Sequence, residues 1–300
     1  MNRRIAFATC RDLPELRPDE CLPIAALARL GIEAEPAIWD DPGVRWEAYD
    51  SVILRTVWDY HLKAAAFLAW VRSLEGRRVR LWNSAALVRW NIDKRYLLDL
   101  AARGVRIIPT VVFEPGARID VVHELEQRGW SRAVVKPAVS ASAYRTVVVE
   151  ARDPAAAQVQ VNALLATGAC LLQPFVAEVV ESGEWSFAFF GGRFSHAILK
   201  RPQPGDFRVQ EEHGGSIRAA TPSASLLQQA QRTLDCIPGA WLYARVDGIE
   251  TAGVLLVMEL ELIDPAFYFD RDPAAAERFA SCVYYWSESG EGGTADTARP

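Results

Sequence analysis

Apolar residues enter this chain in short continuous runs. Ile5–Thr9 and Ser51–Leu54 have the unbroken apolar character of buried strands, and Glu20–Leu30 between them has helical spacing that stops at Gly31. Leu62 to Leu74 is again helical, so residues 1–82 predict a small N-terminal α/β domain. Ser84 to Arg103 reads as one or two helices stopped by Gly104, and Arg106–Phe113 as extended chain, with Pro109 at an edge or bulge. Residues 83–113 are therefore a linker of helices and a strand. In 114–177 a helix over Ile119–Arg128 precedes the paired strands Ala133–Lys136 and Thr146–Glu150, joined by a small-residue loop, Ala138–Ala143. Asp153-Pro154 then opens a helix ending at Gly168, Asp as cap and Pro in the first turn, before the apolar strand at Leu171. Residues 178–286 carry a hairpin, Glu184–Phe190 and Arg193–Lys200 about Gly191-Gly192. A long polar loop from Arg201 to Gly215, a helix from about Ser223 and a strand pair, Trp241–Asp247 and Val254–Leu262, follow. A last helix opens at Asp272-Pro273, and the polar tail 287–300 is expected to be disordered.

Composition narrows the class. Half of the 300 residues are hydrophobic, enough for two or three small cores. A net charge of −5 without a basic patch excludes nucleic acid as a partner, and no apolar run reaches the ~18 residues that span a membrane. The short N-terminal apolar run reads as a strand rather than a signal peptide. The five cysteines are scattered with no CxxC pair, which argues against a disulfide framework or a zinc site and for a reducing cytoplasm.

The strongest chemistry lies in Met258-Glu259-Leu260-Glu261-Leu262. Positions two apart on a strand share a face, which puts Glu259 and Glu261 side by side, roughly 7 Å apart. If the preceding strand pairs with this one through a turn in the 248–253 region, Asp247 joins them, and three like charges call for a hard cation such as Mg2+. An amphipathic strand with its Glu residues in water is the plain alternative. Lys136 ends the apolar run Ala133-Val134-Val135, where a phosphate would be a suitable partner or the side chain snorkels to water. Lys94 stands at or near a helix start, and a solvated lysine is its plain alternative. The loop after Lys136, with Ser140 and Ser142, could close over phosphates through hydroxyls and backbone N–H groups. Pro174, in Gln173-Pro174-Phe175-Val176, ends ladder pairing where backbone groups could meet a planar base. Arg55, Trp58 and Asp59 follow the second buried strand, at the end where α/β crevices form. Arg55 and Asp59 carry the charges that match an amino acid, or else pair with each other at the surface. His61, His123 and His196 read as surface or structural, and His213, in the polar loop, either joins them or touches a substrate.

In this order these residues resemble the ATP-grasp superfamily, from about Asn83 to Pro265 and loosely over the whole chain. The resemblance implies an α/β and α+β architecture: a small N-terminal domain, then two α+β subdomains, 114–177 and 178–286, that hold ATP between them. It implies Lys94 and Lys136 on the phosphates, Gln173 to Val176 at the adenine, Glu184 on the ribose, and Asp247, Glu259 and Glu261 on two Mg2+ ions. Many relatives have Asn at the last of these positions and glycines in the loop where this chain has Ser and Ala. Lys200-Arg201-Pro202, Gly205-Asp206-Phe207-Arg208-Val209-Gln210 and Gly214-Gly215 are similar to the glutathione-synthetase-like branch. That branch implies Arg208 at the transferred phosphoryl group, Lys200 beside it, and Gly214 and Gly215 bordering the substrate. Arg55-Thr56-Val57-Trp58-Asp59-Tyr60, Trp90-Asn91-Ile92-Asp93-Lys94-Arg95-Tyr96, Gly205 to Gly215 and Met258-Glu259-Leu260-Glu261-Leu262 resemble the D-cycloserine synthetase group. Its members close the ring of D-cycloserine from O-ureido-D-serine. The implied activity is a carbon–nitrogen ligase with a small amino-acid-like substrate and an acyl-phosphate intermediate. Its alternatives are a ligase joining separate amino acids or modifying a protein terminus, and a non-catalytic nucleotide sensor. The reading also leaves room for a homodimer.

Overall fold

The computed structural model describes residues 3–209 and 214–289. Three sheets follow one another along the chain. The first is wholly parallel, built from β1 (Arg3–Thr9), β2 (Ile32–Ile38), β3 (Ser51–Thr56) and β4 (Arg80–Trp82) in the order β2-β1-β3-β4. The helices α1 (Cys21–Arg29) and α2 (Ala64–Gly76) connect its strands. β2, with its charged residues and Pro36, has no clear apolar signature and goes unnoticed in the sequence; it survives as an edge strand, where proline is tolerated.

Two short helices, α3 (Ala85–Asn91) and α4 (Tyr96–Ala102), lead to the second sheet. Its strands are β5 (Val111–Phe113), β6 (Arg132–Pro137), β7 (Val147–Glu150) and β8 (Cys170–Pro174), all antiparallel in the order β5-β8-β6-β7. β5, assigned from sequence to the linker, pairs with β8 and so completes this sheet. The helices α5 (Val121–Arg128) and α6 (Pro154–Leu165) cover it, each capped by the aspartate before it, Asp120 and Asp153.

After the short α7 (Glu178–Glu181) comes a third, antiparallel sheet. It comprises β9 (Glu184–Phe190), β10 (Arg193–Arg201), β11 (Ser216–Ala219), β12 (Tyr243–Thr251) and β13 (Val254–Glu261) in the order β11-β10-β9-β12-β13, with α8 (Ala224–Leu234) against β12 and β13. The turn between β12 and β13 falls at Ala252-Gly253, because β12 runs on to Thr251. The final helix, α9 (Ala275–Ser289), returns to pack on α1. It includes residues 287–289, which the sequence reading gave to a disordered tail; the remainder of that tail lies outside the described residues. Phe7 of β1, Tyr243 of β12, Phe267 and Phe279 of α9 share one core, so the first and third sheets are joined by packing. Among the described residues no helix is long and apolar enough to cross a membrane.

Residues 262–268 have no regular structure; they join β13 to a 3-10 turn, Phe269–Arg271, that leads to α9, and their backbone is held from outside. Six consecutive carbonyls each accept from a different side chain. Asn83 Nδ2 donates to Leu262 at 2.8 Å, Tyr243 Oη to Ile263 at 2.9 Å and Trp58 Nε1 to Asp264 at 3.4 Å. Arg55 Nη2 donates to Pro265 at 3.0 Å, Arg245 Nη1 to Ala266 at 2.7 Å and His196 Nε2 to Phe267 at 2.7 Å. A strand partner normally satisfies such groups; here side chains from five elements and loops do so, which fixes the segment without a sheet.

Candidate active site

One deep cavity lies between the second and third sheets, closed at one end by the first domain. β12 and β13 place the acids on its wall. Asp247 stands opposite Glu259 in the antiparallel register, and Arg245 opposite Glu261, so all four share a face. The string around Lys94 explains how β13 is held. Asn91 Nδ2 donates to the Leu260 carbonyl at 2.7 Å while its Oδ1 accepts from Leu262 N–H at 3.0 Å, and Tyr96 Oη accepts from Leu260 N–H at 3.0 Å. These contacts take the outer edge of β13 and leave Lys94 beside the side chain of Glu259.

The cations are divided unequally among the acids. Lys136 Nζ is 3.0 Å from Glu259 Oε1, and Lys94 Nζ is 3.7 Å from Oε2 while donating to the Ser140 carbonyl at 2.7 Å. Burial alone would raise the Glu259 carboxyl, but Lys136 and Lys94 outweigh it and hold it at about 2. Asp247 accepts both Nε and Nη2 of Arg245, at 2.9 and 2.7 Å, and the Ser186 hydroxyl at 2.5 Å, with Lys200 3.8 Å away. Burial again opposes, and Arg245 with Lys200 brings this carboxyl down to about 2. Glu261 shares Arg245, at 2.6 Å. Burial raises it, Arg245 offsets part of that, and the Asp247 and Glu259 charges add to the rise, so it is pushed up to about 7. Among the described residues no three acids close on a single point as they stand. The donor chemistry nevertheless suits a hard divalent cation: three carboxylates on one face, one of them raised by burial and then by its like-charged neighbours.

The other predicted residues divide clearly. Lys200 Nζ donates to Glu184 Oε1 at 2.7 Å, both buried in the cavity wall. Gln173, Pro174, Phe175 and Val176 line the cavity beside Met258 and Ile249. The Phe175 N–H is already given to the Arg132 carbonyl at 3.1 Å, so this hinge group is not open to a base. Ser140 and Ser142 line the cavity too, although the Ser140 hydroxyl turns back to the Pro137 carbonyl at 3.1 Å. Arg208 reaches the cavity with its guanidinium forked on Asp206, which holds that carboxyl well below the usual range. Trp58 lines it as well, under the guanidinium of Arg17 at 5.5 Å.

Two substrate residues read from the sequence do not face the cavity. Arg55 is fully buried and forks onto Glu20 at 2.7 and 2.5 Å, among Phe267, Tyr243 and Phe279. Asp59 accepts Trp39 Nε1 at 2.7 Å and Lys63 Nζ at 2.7 Å, so the two do not pair with each other either. Gly214 and Gly215 are not in the cavity wall, and His213 lies outside the described residues. Arg245, Asn91, Asp264 and Tyr268 line the cavity and were missed. For Arg245 the signal was available, since it precedes Asp247 by two strand positions.

Residues 5–83 match the family described as the N-terminal domain of D-cycloserine synthetase DcsG. The cycloserine biosynthesis protein DcsG of Streptomyces lavendulae is 34% identical over 275 residues, covering 87% of this chain and 91% of that protein. The crystal structure of D-cycloserine synthetase DcsG superposes with a TM-score of 0.85 at 30% identity, over 96% of this chain and 100% of that one. The D-alanine–D-alanine ligase of Bacillus anthracis complexed with ATP gives a TM-score of 0.68 at 14% identity, over 96% of this chain and 98% of that one. This chain belongs to the D-cycloserine synthetase family of ATP-grasp ligases.

Proposed function

We propose that this ligase uses ATP to activate the carboxylate of an amino acid, O-ureido-D-serine, and closes it onto its own ureido nitrogen to give D-cycloserine. The observation that carries this reading is the convergence of Lys94 and Lys136, from different elements, on Glu259 beside Asp247 and Glu261. Cations and acids lining one cavity suit a triphosphate together with a divalent cation. The base would lie beside Gln173 to Val176 and the ribose beside Glu184. Asp247, Glu259 and Glu261 would hold Mg2+, two ions in this reading, which would supply charge neutralisation for the phosphates. Lys94 and Lys136 offset charge on the phosphate oxygens. Arg208, released from Asp206, fits the transferred group through its planar fork.

The substrate carboxylate oxygen attacks the γ-phosphorus and ADP leaves. The ureido nitrogen then attacks the acyl carbon, a carbon–nitrogen bond forms and phosphate departs. Atom balance requires the carbamoyl group to leave with one water as carbon dioxide and ammonia. Water must be kept from the acyl phosphate, a role suited to the loops 138–146 and 201–209 at the cavity.

Incubation with MgATP and O-ureido-D-serine should yield ADP, phosphate, ammonia and D-cycloserine in equal amounts without a second amine. ADP release only after a second amine is added would replace ring closure by intermolecular ligation. Absence of ADP release with every amino acid offered would leave a nucleotide-binding protein without turnover.

A further inference from the structure

The cavity extends beyond the acids, toward the first domain, along the segment whose carbonyls are held by side chains. Asp264 stands there, three residues after Glu261, lining the cavity and only 8% exposed. Its Oδ2 is buried and has no hydrogen-bond partner among the described residues. A buried carboxylate oxygen without a donor is costly, and most native polar groups in that position are paired. The chain does not resolve this itself. The fully buried Arg55 spends Nε and Nη2 on Glu20 and Pro265, and its Nη1 makes no hydrogen bond to Asp264 or to any other described residue. Nor can Asp264 easily swing away, because the carbonyls on either side of its own are tied to Tyr243 and Arg55.

The ligand chemistry follows from position. In an α-amino acid the ammonium is two bonds from the carboxyl carbon. A group that takes it must lie beside the place where the carboxylate is activated. In the ligase reading Glu261 stands at the metal beside the γ-phosphate, and Asp264 is the next acid along the chain in the same cavity wall. An ammonium offers three donors to an acceptor that lacks one. Resting on the ligase reading above, we propose that Asp264 binds the α-ammonium of the amino-acid substrate and so selects α-amino acids over simple carboxylic acids.

The test compares O-ureido-D-serine with its des-amino analogue, 3-(ureidooxy)propanoic acid, by ADP release from the whole protein with MgATP. The wild type should prefer the aminated substrate by about 10- to 100-fold in kcat/KM, the range for a hydrogen bond to a charged group. In Asp264→Asn that preference should fall toward one, while the KM for ATP stays within about twofold. The preference is a ratio within one preparation, so partial unfolding cancels; Asp264→Ser supplies the same ratio should the Asn variant not fold. A wild-type preference retained in the variants, with only a lower Tm, would make Asp264 a counter-charge to Arg55 and overturn the proposal alone. A wild type that releases ADP with neither compound nor with any other α-amino acid would overturn it together with the ligase reading.

Discussion

Glu261 shares its cation with Asp247, whereas Glu259 has two lysines. The consequence is a pH dependence of opposite sign at neighbouring acids. Asp247 and Glu259 are held at about 2, below the ordinary ~4 of a free carboxyl, so their stabilisation is present above about pH 4 and lost as pH falls toward 2. Glu261, raised to about 7 by burial first and then by its like-charged neighbours, behaves the other way. Its favourable protonated state is fully present below about pH 4 and is lost as pH rises through 7. Glu261→Gln should therefore melt above the wild type at pH 8 in the absence of nucleotide and metal, by a few degrees. The gap should shrink on going to pH 5. Melting curves that differ by the same amount at both pH values would mean that Glu261 does not titrate in this range.

At the scale of elements, the hairpin of β9 and β10 sets the distance between Glu184 and Lys200. Gly183 precedes β9 with φ +94, and a Cβ there would lie 2.5 Å from the Lys200 carbonyl oxygen. Gly183→Ala combines a left-handed backbone with a clash against main chain, a cost of about 2–4 kcal/mol. Calorimetry should record a Tm lower by at least about 4 °C. The KM for ATP should rise in the same variant, because the clash falls on the Lys200 carbonyl. An unchanged Tm and KM would show that the two strands part there without strain. Elements of this kind were legible where a local rule governs them: the Gly191-Gly192 hairpin, the Asp153 cap and the alternation of Glu259 with Glu261 all follow from neighbours in sequence. β11 was not legible, being four residues, Ser216–Ala219, that are mostly exposed at a sheet edge. The held segment after β13 was not legible either, since its six donors come from positions 55 through 245. Arg55 illustrates the same limit. A strand-end arginine reads as reaching a crevice, and only its contacts with Glu20 and with Pro265, 210 residues away, show that it is core.

For the whole molecule, that arginine becomes a joint. Glu20 lies before α1, Arg55 is the last residue but one of β3, and Pro265 belongs to the segment leaving the third sheet, so one guanidinium ties the first domain to the cavity wall. Arg55→Ala leaves the buried Glu20 without its cation, at a cost of about 3–5 kcal/mol. A Tm drop of about 6–15 °C is expected, with the KM values for ATP and amino acid little altered at temperatures where the variant is folded. A selective rise in the amino-acid KM at an unchanged Tm would instead place Arg55 in contact with substrate. The same joining of first and third sheets brings the loop 138–146 under the first domain, where Tyr144 lies against His61 at 4.9 Å between ring centroids.

The central claim is that the carboxylate of the amino acid is phosphorylated before the ring closes, and the path of one oxygen tests it. With O-ureido-D-serine labelled with 18O in both carboxylate oxygens, the oxygen that bonds to the γ-phosphorus leaves with it. Phosphorus NMR of the released phosphate should show one 18O per ADP formed. Phosphate free of label, with D-cycloserine still produced, would contradict activation through an acyl phosphate.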